Sequence, residues 1–175
     1  MTIGLAPRDK ADRAAGYYQA GDYPAAIRAF ADAASAYLEI GDPVMSAEMK
    51  NNQSVAFLRD RQPQAALDAA RGTELVFAGA GDSRRQGMAL ANQASALDAL
   101  KLSGEAIGYY IQAGDALEKA GEVEYRLEVM QLLSSLYLRR FKFLDAILAL
   151  QSGLAAIKNP SLRQRVMKKL LFIRL

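Results

Sequence analysis

The sequence predicts an all-α fold, a solenoid of four antiparallel helix pairs followed by one capping helix. Three observations carry that prediction. An alanine recurs every 40 residues, as Ala26 in Pro-Ala-Ala-Ile, Ala66 in Gln-Ala-Ala-Leu, Ala106 in Gly-Glu-Ala-Ile and Ala146 in Leu-Asp-Ala-Ile. A turn marker recurs in the same phase, as Gly41-Asp42, Gly81-Asp82 and Gly121-Glu122. A fixed period of this size marks a repeat array whose units bury their apolar faces only against neighbours. Alanine, the best helix former, is also abundant, and no period-2 alternation of apolar residues persists.

The elements follow in order. A first helix is predicted over residues 7–20, opened by Pro7 and ended by Gly21, which accepts the left-handed conformation that closes a helix. Asp22 caps a second helix, with Pro24 in its first turn, and this helix reaches about Ile40. Its residues Ala26, Ile27, Phe30, Ala33, Ala34 and Tyr37 recur at three and four, giving one apolar face. Gly41-Asp42-Pro43 supplies a stop, a cap and a helix-starting proline. The third helix spans 43–60, the fourth 63–80 and the fifth 83–100. Ser103 is expected to cap the sixth, which ends near Gly121; the seventh covers 122–140 and the eighth 143–157. Asn159-Pro160 starts a ninth, from Ser161 to the end. Connections this short force successive helices to pack antiparallel. The units are thus about 7–40, 43–80, 83–120 and 122–158, with a cap over 160–175, in a single domain.

Small residues have a physical role in each unit. Ala14, Ser54, Ala94 and Ser134 lie midway along the first helices, and the recurring alanine lies early in the second. Small side chains at both places allow two helices to approach closely. Tyr17, Phe57, Leu97 and Tyr137 on the first helices, with Phe30, Tyr110 and Leu150 on the second, fill the space between units.

Composition narrows the chemistry. The 175 residues contain no cysteine and no histidine. Disulfides and thiolate chemistry are excluded, as are the commonest metal ligand and the side chain best suited to proton transfer near neutral pH. A site built from carboxylates alone stays open. No Gly-rich phosphate loop, Gly-x-Ser-x-Gly elbow or metal-ligand spacing is present. The expectation is a protein with no catalytic, cofactor-binding or metal-binding residue and no small-molecule substrate. The first 13 residues lack an apolar run followed by a cleavage site, and no run approaches the roughly 20 apolar residues of a membrane span, so a cytoplasmic protein is expected. The net charge of +3 is unevenly spread: residues 139–175 hold nine basic and one acidic side chain, against 13 basic and 18 acidic before them. Such asymmetry can mark a partner surface.

The pattern resembles the tetratricopeptide repeat, in a long-helix variant with a 40-residue period. That family places a small residue and then an aromatic on the first helix, a Gly-Asp-Tyr turn, and Ala, a large residue and Ala on the second. The first unit carries Ala14, Tyr17, Gly21-Asp22-Tyr23, Ala26, Phe30 and Ala33, and the third Ala94, Leu97, Ala106, Tyr110 and Ala113. The second unit departs, with Ala70 where a bulky residue is usual, and the fourth has Gly153 for the last alanine. The resemblance covers about residues 7–158. It implies a right-handed superhelix whose first helices line a concave groove that binds a protein or peptide partner. Carried over residue by residue, the groove would show Asp12, Ala15, Tyr18 and Gln19, then Asn51, Asn52, Val55 and Arg59, then Met88, Asn92, Ser95 and Asp98, then Gln131, Ser135, Leu138 and Arg139. Asn52 and Asn92 hold equivalent places, and an amide can bond a peptide backbone of any sequence. Equally, these amides can bond backbone or water between neighbouring helices. Some relatives clamp terminal carboxylates with lysine and asparagine on the first unit; Ala11 and Ala15 stand there, which argues against that mode.

The terminal helix places Leu162, Val166, Met167, Leu170 and Ile173 on one face, with Arg163, Arg165, Lys168 and Lys169 largely elsewhere. The plain reading is a cap whose apolar stripe packs on the preceding helix. Self-association through Leu171, Phe172 and Leu175 of this helix, or through the array ends, is the alternative function, giving a homo-oligomeric scaffold. Attachment to an anionic membrane and contact with nucleic-acid phosphates are weaker readings. Nucleic acid is not an expected partner, because interleaved exposed aromatics and a recognised nucleic-acid motif are missing, and a membrane is not expected either.

Overall fold

A computed structural model describes residues 5–157 and 161–171. Ten helices occur among the described residues, with no strand. They are α1 (Pro7–Gln19), α2 (Tyr23–Glu39), α3 (Pro43–Arg59), α4 (Pro63–Ala70), α5 (Thr73–Gly79), α6 (Ser83–Ala99), α7 (Ser103–Lys119), α8 (Val123–Arg139), α9 (Phe143–Ala155) and α10 (Leu162–Leu171). Each packs chiefly on its neighbours in the chain, the pattern of a helical solenoid. Among the described residues, no helix is long and apolar enough to cross a membrane.

Turn chemistry sets the spacing. Positions 21, 41, 61, 81, 101, 121 and 141 all have φ between 59° and 78°, one left-handed residue every 20. At each, two backbone N–H groups turn back onto the preceding helix; at the first, Gly21 donates to Tyr18 and Asp22 to Tyr17. This double closure satisfies carbonyls that the helix end would otherwise leave bare. Glycine fills four of the seven places; the others hold Arg61, Lys101 and Phe141. Asp22 and Asp42 cap the next helix as expected, and Asp82 does the same, the three accepting from Ala25, Met45 and Arg85 at 3.1, 2.9 and 2.8 Å.

Three expectations are corrected. The helix expected over 63–80 is two helices, parted at Arg71 and Gly72, where Gly72 is left-handed at φ 83°. The break follows Ala70, which stands where the other units have Phe30, Tyr110 or Leu150. The Thr73 hydroxyl donates to the freed Ala70 carbonyl at 2.7 Å. Phe77 beyond the break is buried like its counterparts Tyr37, Leu117 and Ile157, so the 40-residue register survives. Ser103 does not cap α7; the cap position is Leu102, with no side-chain bond. The terminal α10 packs on α9, yet Leu162 and Val166 of its expected apolar stripe are exposed.

The small residues serve as predicted. Ala14, Ser54, Ala94 and Ser134 are buried, as are Ala26, Ala66, Ala106 and Ala146. One apolar cluster gathers residues from Ala14 to Ala56, and a larger one gathers residues from Ala66 to Ala149. Ala47, Phe77 and Ala89 form a smaller cluster between them.

Candidate functional site

The first helices α1, α3, α6 and α8 carry the residues expected to line a groove. Three side-chain bonds join them in sequence, each spanning 41 residues. The Arg59 Nε donates to the Tyr18 hydroxyl at 3.3 Å, Asn92 Nδ2 donates to Asn51 Oδ1 at 2.9 Å, and the Arg139 guanidinium pairs with Asp98 at 2.5 Å. A 41-residue step links a position on one first helix to the next position on the following one. Six of the residues expected to line the groove thus also tie repeat to repeat. Asn51 is buried at 6% exposure, so it is a packing residue of the interface. Ser95 is also engaged, donating to the Ala91 carbonyl at 2.9 Å and lying 3.1 Å from the Tyr110 hydroxyl. Burial pushes the Tyr110 hydroxyl's pKa up, and the Ser95 bond partly opposes this.

Asn52 and Asn92, equivalent in sequence, therefore differ in role. Asn92 is bound to Asn51, whereas the Asn52 side chain has no hydrogen-bond partner among the described residues. Asn52 lies at the meeting of two cavities. One, of about 220 Å³, is lined by Ala15, Tyr18, Gln19, Phe30, Asn52 and Val55. The other, of about 470 Å³, has Asn51 and Asn52 on one wall and Arg84, Arg85 and Met88 on the other, with Glu48 and Asp82 beside them. The first is mainly apolar and the second mixed, with two arginines and two carboxylates among its lining residues. Asp12, Gln131, Ser135 and Leu138 are exposed and line neither cavity.

The polar cavity is organised by Arg85, a residue outside the expected groove positions. Its guanidinium reaches Asp82 at 2.6 Å and Glu48 at 2.7 Å, and stands 5.6 Å over the Phe77 ring. It thus ties α3, α5 and α6 at one point. The Asp82 carboxyl is held below the usual carboxylate range, first by the Arg85 backbone N–H and also by its guanidinium. Arg84 is nearly half exposed and pairs with Glu122 at 2.9 Å while lying 5.3 Å over the Tyr125 ring. The signal for Arg85 was weak in the sequence, since Met45 and Tyr125 hold the matching places in the adjoining units.

The self-association residues fall at the edge of what is described. Leu171 ends α10, but its side chain, and Phe172 and Leu175 altogether, lie outside the described residues.

No family model matches the chain, and no curated protein matches it. Among solved structures it is similar to a Podosopora anserina protein described as a kinesin light chain with nearly identical TPR-like repeats. The TM-score is 0.72 at 16% identity, covering 97% of this chain and 88% of that one. At this identity the likeness establishes the fold, a solenoid of TPR-like helix pairs, and nothing finer.

Proposed function

We propose that this chain is a non-enzymatic interaction module that holds a segment of a protein partner along its row of first helices, with Asn52 as the anchor. The observation that supports the reading is the unbonded Asn52 amide between an apolar and a polar cavity. An amide offers two donors and an acceptor, so it can bond the backbone of an extended peptide. The apolar cavity at Ala15, Tyr18, Phe30 and Val55 would take an aliphatic or aromatic side chain of that peptide. The polar cavity would take a neighbouring polar one, beside Arg84 and Glu48. The ties between first helices hold this surface in shape before binding, which spares an ordering cost when the partner arrives.

The test is selection of binders from a random peptide library displayed on phage, followed by measurement on Asn52→Ala and Val55→Glu variants. Selected peptides should share an apolar residue and lose at least tenfold in affinity on each variant, while circular dichroism stays unchanged. Peptides that bind both variants as tightly as the parent would overturn this reading.

A further inference from the structure

The turn between α8 and α9 departs from its own internal copies. Its counterparts at the same register are Gly21-Asp22-Tyr23-Pro24, Arg61-Gln62-Pro63-Gln64 and Lys101-Leu102-Ser103-Gly104. Here the chain reads Phe141-Lys142-Phe143-Leu144, preceded by Arg139-Arg140. Phe141 is 81% exposed, Phe143 60% and Leu144 69%. The two rings meet edge to face, 6.4 Å apart. One turn of α9 further on, Leu148 is half exposed where the other units have Arg28, Asp68 and Gly108. The array repeats this structural position four times and leaves it strongly apolar once.

Phe141 is disfavoured where it stands in two ways. It is a bulky side chain in the left-handed region, at φ 59°, where the first unit has glycine and the second and third have Arg61 and Lys101. It also leaves nearly all of its ring in water. Among the described residues, the contact given for its ring is the one with Phe143. The left-handed form is shared with Arg61 and Lys101 and belongs to the turn; what sets this copy apart is the exposed aromatic pair, which points to a role outside the molecule.

Charge identifies what lies outside. Arg140 and Lys142 flank Phe141, with Lys142 3.9 Å from Asp145, and in the sequence residues 139–175 hold nine basic side chains against that one acidic residue. The helix α10 that packs on α9 has no acidic residue in its sequence and exposes Leu162, Val166 and Lys169. A second copy docked on the same patch would bring like charges together, because a two-fold interface sets a surface against itself. An anionic lipid surface has the complementary charge and an apolar interior for the rings. We propose that the α8–α9 turn docks on anionic lipid bilayers, with Phe141, Phe143 and Leu144 entering the headgroup boundary and Arg140 and Lys142 held among the lipid phosphates and carboxylates. This inference is independent of groove binding.

The experiment is co-sedimentation of the full chain with vesicles of phosphatidylcholine alone and of equal parts phosphatidylcholine and phosphatidylserine. The chain should sediment with the second and stay in solution with the first. Each cation near such a surface contributes about fivefold in affinity, so Arg140→Glu with Lys142→Glu should cost well over tenfold, and added salt should act alike. Phe141→Gly should lose binding while melting no lower than the parent, because it relieves the left-handed strain; this separates lost docking from lost folding. Asn52→Ala should bind vesicles normally. Equal binding to both vesicle types, binding unaffected by these changes, or a dimer seen by light scattering that Phe141→Glu dissolves without any vesicle binding would each overturn the proposal.

Discussion

At the scale of single residues, equal places in the repeat do unequal work. Asn52 and Asn92 stand 40 apart, yet only Asn92 is bonded, to the buried Asn51. Asn92→Ala would leave the Asn51 oxygen without its donor, at a cost of about 1–3 kcal/mol. Asn52→Ala should fall within about 0.5 kcal/mol of the parent. Urea unfolding of the two variants checks this contrast, and equal losses would deny it. The Asp82 carboxyl gives a second prediction. Its folded pKa lies below the unfolded value, so its contribution is complete above the ordinary carboxylate range and is lost as pH falls through the folded pKa. Asp82→Asn keeps a capping acceptor and removes the titration. Its thermal midpoint should therefore fall less steeply than the parent's on acidification, and parallel curves would refute the assignment. The sequence could supply the identity of such side chains but not their pairing. The bonds run from one position to the next along successive helices, a one-residue offset set by how the helices lie and invisible to a 40-residue comparison.

Among elements, the repeat was legible because it is written in turn residues. Gly21, Gly41, Gly81 and Gly121, with the aspartates that follow three of them, announce helix ends chemically. The places where Arg61, Lys101 and Phe141 take the same left-handed form gave no such sign, and only the period betrays them. The break between α4 and α5 was harder to foresee, since Arg71-Gly72 interrupts a stretch otherwise suited to one helix. Its trace in the sequence is the pairing of Ala70 with Gly72, a missing bulky side chain beside a residue free to turn. Nothing lies within 4 Å of a Cβ added at Gly72, so Gly72→Ala is opposed by backbone conformation alone. That substitution should destabilise by about 1–2 kcal/mol, read as a lower thermal midpoint. A midpoint equal to or above the parent's would mean that the two helices can join into one.

Over the whole molecule, stability is shared between nearest neighbours. The larger apolar cluster joins α6 and α7 to α8, and the smaller cluster holds α1, α2 and α3. Amide hydrogen exchange should be slowest in α6 and α7 and quicken toward both ends, with α1 and α2 opening before the centre. Uniform protection along the chain would show that the array unfolds as one unit. The ties between first helices add a different property. Tyr18 with Arg59 and Asp98 with Arg139 fasten the outer two joints near the carboxyl ends of the helices, while Asn51 with Asn92 and Glu48 with Arg85 fasten the middle joint at mid-length and toward the amino ends. The fastenings thus alternate between the two edges of the row, so that the helices are held together at both edges of the array's first-helix surface and not along one edge alone.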